Sequence, residues 1–159
     1  MIHSKSTIGI EEWNEYDTKG NKIHSKDNSG SESWCEYDSN GNKIHFKNAA
    51  GHEDWYEYDD KGNEIHYKDC YGSETWSDYD NNGNKIHYKA DNGYEEWYEY
   101  DDKGNEVHFK NSNGKENWRE YDNRGNEIHF KPSDGYEVWT EFTFWDNGKV
   151  KTKIMYRKF

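Results

Sequence analysis

Aromatic and charged positions alternate along this chain in runs of five or six residues. Glu53-Asp54-Trp55-Tyr56-Glu57-Tyr58 is one such run, and its alternation and aromatic content predict a strand, not a helix. Asp59-Asp60-Lys61-Gly62-Asn63 follows with turn chemistry. Asp at the first position and Gly at the fourth suit a type I turn closed by a left-handed glycine bulge. Glu64-Ile65-His66-Tyr67-Lys68 reads as a second, shorter strand, and Asp69-Cys70-Tyr71-Gly72 turns the chain back.

This hairpin pattern is written seven times. Trp stands at 13, 34, 55, 76, 97, 118 and 139, and His at 3, 24, 45, 66, 87, 108 and 129, each series advancing by 21. Every one of these Trp residues has a Glu two positions before it and a Glu or Asp two positions after. A Tyr-Asp pair follows in the first six units, then Gly-Asn, and later Ile or Val, the His and a Lys. A fixed period of this length signals a repeat architecture. The expected fold is all-β: an antiparallel meander of about seven hairpins, roughly 15 strands, in a twisted, extended or curled sheet. One domain over residues 1–159 is expected, with units starting near Gly9, Gly30, Gly51, Gly72, Gly93, Gly114 and Gly135. Residues 143–159, basic and alternating after a two-residue insertion, read as a C-terminal cap whose lysines discourage edge pairing.

The odd period constrains the faces. Strand side chains alternate with period two, so one turn in each unit must contribute an offset to keep all Trp residues together. An offset at residues 59–62 gathers Trp55, Ile65 and Tyr67 with the glutamates, and sends His66, Lys68 and Tyr58 to the reverse. An offset at residues 69–72 puts Trp with His, Lys and Glu, and Tyr and Ile behind. The first arrangement is the expectation, because it collects the apolar side chains in one layer.

Composition sharpens this picture. Leucine is absent and Ile, Val and Phe together number 18, so the burial on offer comes from 22 Trp and Tyr residues. A thick two-layer core is not expected. The net charge of −12 argues against nucleic acid, whose phosphates need a basic face, and favours a basic protein partner. No apolar leader or membrane-length stretch is visible, so a cytoplasmic location and no membrane contact are expected. Cys35 and Cys70 stand at unrelated repeat positions and read as incidental free thiols.

The repeated groups do not single out a reactive set. Equivalent histidines lie two strands apart, roughly 9.6 Å, too far to share a zinc ion with bonds of about 2.0–2.1 Å. A cross-strand His–Glu hydrogen bond is the expected role. The Asp-x-x-Gly-Asn segments lack the Glu that a calcium loop needs at its twelfth position; Asp38 and Asp59 lead to Ala49 and Cys70. Carboxylate pairs recur in every unit without one being made different from the others, as acid–base chemistry requires. No enzyme activity, metal or cofactor is expected. Positions that vary between units are the candidates for recognition: Tyr56, Tyr98 and Arg119 after Trp, and Tyr94 and Tyr136 after the second Gly. Glu57 and Glu99 are candidates for charge attraction.

Tyr58-Asp59-x-x-Gly62-Asn63, returning every 21 residues, resembles the YD repeat of RHS proteins over six of the seven units. In that family such hairpins build large β-sheet shells that enclose toxin domains. As a small acidic YD-like protein, the chain also resembles immunity proteins of contact-dependent growth inhibition and related interbacterial systems. That resemblance implies binding and neutralising a cognate toxin with a basic surface, a nuclease. A second similarity is to choline- or glycan-binding cell-wall repeats, whose paired aromatics box a quaternary ammonium group.

Overall fold

The computed structural model describes residues 2–5 and 11–158, with side chains at Ile2 and from residue 11 onward. Gly9, the expected start of the first unit, lies outside them. The chain divides into two compact units, Met1–Ser77 and Asp78–Phe159. The first holds β1 (Ile2–Lys5), β2 (Glu11–Tyr16), β3 (Lys22–Asp27), β4 (Glu32–Tyr37), β5 (Lys43–Asn48), β6 (Glu53–Tyr58), β7 (Glu64–Lys68) and the start of β8 (Glu74–Tyr79). The second holds β9 (Lys85–Ala90), β10 (Glu95–Tyr100), β11 (Glu106–Asn111), β12 (Glu116–Tyr121), β13 (Glu127–Pro132), β14 (Glu137–Phe144) and β15 (Val150–Lys158). In the first unit each strand pairs antiparallel with its chain neighbour. The same holds from β9 to β15 in the second. No helix occurs among the described residues. The fold is the all-β hairpin meander that the alternation predicts.

The turns form as their residues dictate. Gly62 N–H donates to Asp59 O and Asp59 N–H donates to Asn63 O, both at 3.0 Å. Asp59 Oδ1 accepts the backbone N–H groups of Lys61 and Asn63 at 2.9 Å, and Asn63 Nδ2 donates to Oδ2 at 2.8 Å. The Asn63 hydrogen bonds hold the Asp59 carboxyl below its usual value. Gly62 has φ of 85°, a left-handed conformation that a Cβ would strain. Asp38, Asp80, Asp101 and Asp122 repeat the same side-chain cage. Turn closure thus accounts for the Asp-x-x-Gly-Asn segment.

The face assignment differs from the expected one. Across the turn at residues 59–63 the register slips by one: Glu57 faces His66, while Tyr58 faces Glu64. Ile65 is left as the extra residue of a β-bulge. The turn at residues 69–73 introduces no such slip, and His66, Tyr67 and Lys68 face Trp76, Thr75 and Glu74. Trp55 therefore shares its face with Glu57, His66 and Lys68, while Tyr56, Tyr58, Ile65 and Tyr67 take the reverse. The offset lies at the expected turn, but its extra residue, Ile65, leaves His66 and Lys68 on the Trp face instead of sending them behind, so the apolar side chains do not gather in one layer. The bulge instead gives each face its own aromatic set, which keeps imidazole beside the carboxylates that bond it.

The more buried face is the one with Tyr and Phe. Asn14, Asp54, Ser77, Asn117, Val138 and Thr140, all next to Trp in sequence, are only 4–9% exposed. They sit among larger rings such as the Tyr56–Tyr67 and Tyr98–Phe109 pairs, with centroids 5.2 and 5.3 Å apart. The Trp residues at 34, 55, 76, 97 and 118 are 38–40% exposed. At the C-terminus β15 lies along β14 and is exposed throughout, with Lys153 over Phe142 and Lys158 over Trp139.

Three tyrosines of the Tyr-Asp pairs bond the backbone of the preceding hairpin. Tyr37 donates its hydroxyl to Lys22 O, Tyr100 to Lys85 O and Tyr121 to Glu106 O, at 3.1, 2.9 and 3.0 Å. Lys22 and Glu106 immediately precede Ile23 and Val107, the extra residues of their bulges, where the ladder is locally disrupted. Burial, then the nearby Glu106 and Asp80 carboxylates, hold the Tyr100 hydroxyl in its protonated, donating form. Tyr100→Phe is expected to cost about 1–2 kcal/mol by leaving that carbonyl without its donor. Denaturant unfolding of the two proteins checks this; equal midpoints would show that solvent satisfies the carbonyl.

Candidate functional site

Each unit presents a repeated constellation on the Trp face. Strand pairing sets His66 opposite Trp76, and the imidazole stacks on the indole with centroids 5.2 Å apart and planes 9° from parallel. Its ring nitrogens are clamped by carboxylates from the two flanking strands: Nε2 lies 3.0 Å from Glu74 Oε2 and Nδ1 3.3 Å from Glu57 Oε1. Lys68 reaches Glu74 at 2.9 Å. In the second unit His108 sits between Glu116 at 2.9 Å and Glu99 at 3.2 Å, stacked on Trp118. The cross-strand His–Glu hydrogen bond expected of this column is present.

The two carboxylates of a repeat have different roles. The one before Trp is tied to both His and Lys, which lowers the pKa of Glu74 through hydrogen bonds from Lys68 first and His66 second. The one after Trp reaches outward. Glu57 and Glu99 side chains are 68% and 72% exposed. With His neutral, one Lys against two Glu leaves each repeat one net negative charge on this face. Trp55, Glu57, His66 and Lys68 line a shallow recess of about 380 Å³.

His108 carries a pH signature. Burial works against its charged form, but hydrogen bonds to Glu116 and Glu99 outweigh it and raise its pKa above the ordinary 6.5. Protonated His108 therefore favours the folded state. That contribution is full below pH 6.5 and fades as pH rises through the raised folded value. The ring-proton NMR titration of His108 is expected to have its midpoint above 6.5 and to move down in Glu116→Gln. A midpoint at or below 6.5 in the native protein would refute the clamp.

The candidate residues fall on two faces. Glu57 and Glu99 stand on the Trp face. Tyr56, Tyr98 and Arg119 lie on the other, each tied into the protein. Tyr56 packs on Tyr67, and burial, followed by the Asp54 and Tyr67 charges, pushes its hydroxyl up to about 12. Tyr98 donates to Glu96 Oε2 and packs on Phe109. Arg119 pairs with Glu106 and with Glu127, and stacks over Phe130 at 5.2 Å. Tyr94 donates to Glu96 Oε1 at 2.7 Å, and Tyr136 carries Arg157 over its ring at 5.7 Å.

Sequence reasoning missed one group. It treated Cys70 as incidental and found no set distinct from the ladder, yet the structure brings Cys70 together with His52 and Asp54. Both cysteines are free thiols, as expected. The available signal was that all three residues stand at variable positions, but their proximity depends on how neighbouring turns align.

No family model matches the chain, and no curated protein matches it. Solved structures do. A Photorhabdus luminescens Tc holotoxin pore containing a TccC3 variant superposes on 94% of this chain with TM-score 0.70 at 15% identity. A crystal structure of TcdB2–TccC3 with a TEV designation superposes on 96% with TM-score 0.71 at 16% identity. TcdB2–TccC3 without its hypervariable C-terminal region superposes on 93% with TM-score 0.64 at 18% identity. This chain spans only 9%, 9% and 8% of the length of those chains. At such identities the likeness is one of fold alone, an antiparallel meander of β-hairpins.

Proposed function

We propose that this protein is a non-catalytic binding module, an immunity protein that holds and neutralises a cognate toxin domain with a basic surface, a nuclease, in the cytoplasm. The observation that supports it most is the carboxylate after each Trp. Glu36 and Glu57 in the first unit, and Asp78, Glu99 and Glu120 in the second, have side chains 62–72% exposed. Each stands beside a half-exposed indole on the same face. Exposed acid steers a basic partner and the aromatic surface provides contact area. Co-expression with the toxin domain encoded immediately upstream is expected to restore growth, and the two chains to co-purify. Growth inhibition unchanged by co-expression would overturn the reading.

The fold likeness favours a second reading, a segment of a longer RHS-type sheet. The two differ in the size of the native product. An immunoblot band near 19.1 kDa fits the first reading, and a much larger one the second.

A further inference from the structure

His52, Asp54 and Cys70 stand apart from the ladder. Equivalent positions in the neighbouring units hold Ser31, Ser33 and Ala49 on one side and Ser73, Thr75 and Asp91 on the other, so the scaffold does not require this trio. Cys70 lies in the turn after β7, and His52 follows the turn after β5. Cys70 Sγ is 3.1 Å from His52 Nδ1, and His52 Nε2 is 2.9 Å from Asp54 Oδ2. Asp54 is 6% exposed and accepts the Tyr67 hydroxyl on its other oxygen at 3.3 Å. Phe46 and Tyr71 set their rings edge-on to the imidazole, at 6.1 and 6.5 Å. Cys70 and His52 remain half-exposed.

A carboxylate against Nε2 places the ring proton there and turns the Nδ1 lone pair toward the thiol. Nucleophile, base and orienting acid then stand in sequence, each within hydrogen-bond reach of the next. We propose that Cys70 is a reactive thiol that takes electrophilic carbon of the α-haloacyl class, with His52 as base and Asp54 as its positioning residue. In reaction with iodoacetamide the S–C bond forms as the C–I bond breaks, and iodide leaves with the bonding pair. The thiol proton passes to His52 Nδ1, and Asp54 faces the resulting positive ring. This modification site needs no partner protein and is independent of the proposed toxin binding.

Cys35 is an internal control. It is half-buried like Cys70 and faces Phe46 across β4 and β5. Iodoacetamide alkylation of the folded full chain, in the presence of a chelator, is followed at both cysteines by mass spectrometry. With an imidazole nitrogen 3.1 Å from its sulfur to take the proton, Cys70 is expected to react at least about tenfold faster than Cys35. His52→Ser and Asp54→Asn install residues that other units carry there, at Ser31 and Asn117. Both are expected to bring Cys70 close to the Cys35 rate, while the Cys35 rate and the thermal midpoint stay unchanged. Native Cys70 reacting no faster than Cys35, or His52→Ser leaving the Cys70 rate intact in a folded chain, would overturn the proposal.

Discussion

Truncating Trp97 to alanine is expected to cost about 3 kcal/mol of unfolding free energy, although the indole is 38% exposed. Its remaining surface, on the order of 150 Å² for a large aromatic, is covered by few neighbours, each placed by register. Strand pairing sets His87 on one side and Lys110 on the other. The His87 ring stacks on the indole at 5.4 Å and 17°. Without the indole, His87 keeps Asp78 and Glu95 at 3.1 Å but loses its packing surface. At about 2–4 °C per kcal/mol for a chain of this size, the thermal midpoint should fall by roughly 6–12 °C. Trp97→Phe keeps a ring against the imidazole and should lose about half as much. A loss under about 1 kcal/mol for Trp97→Ala would show that the sheet stands without its indole column.

Reversing Glu57 and Glu99 to lysine is expected to slow association with the basic toxin domain about tenfold at low ionic strength. Each reversal adds two positive charges, so the net charge goes from −12 to −8. The lost carboxylates are the exposed ones that contact His66 and His108. Exposed charges are screened beyond about 8–10 Å at physiological salt, so the difference between variant and native should shrink as salt is added. Dissociation should change less, because long-range charge acts mainly on encounter. Stopped-flow rates at two salt concentrations measure both. Tyr98→Ala supplies the contrast, since Tyr98 lies on the reverse face and bonds Glu96. If Tyr98→Ala weakens binding by about 2 kcal/mol and the reversals do nothing, the partner docks on the tyrosine face.

Much of this molecule is legible in its residues because the information is local. Asp59, Gly62 and Asn63 specify their turn within five positions, since the Asp side chain bonds the backbone two and four residues on and Gly62 alone accepts φ of 85°. The alternating runs either side then have to pair as hairpins. The His–Glu contact follows as well, from opposite charge types brought to adjacent strands at a constant offset.

Which face each side chain takes was decided by tertiary structure. Strand parity hangs on one slip in register beside Tyr58, and that slip moves every later side chain to the other surface. Glu57 and Tyr56 are consecutive candidates in sequence, and this parity puts one in solvent and the other against Tyr67. His52 and Cys70 lie 18 residues apart and meet at 3.1 Å only because the turns after β5 and β7 stand side by side. The composition and spacing of the repeat determined strands, turns and their number; the bulge, a balance between ladder hydrogen bonds and side-chain packing, determined what those strands present.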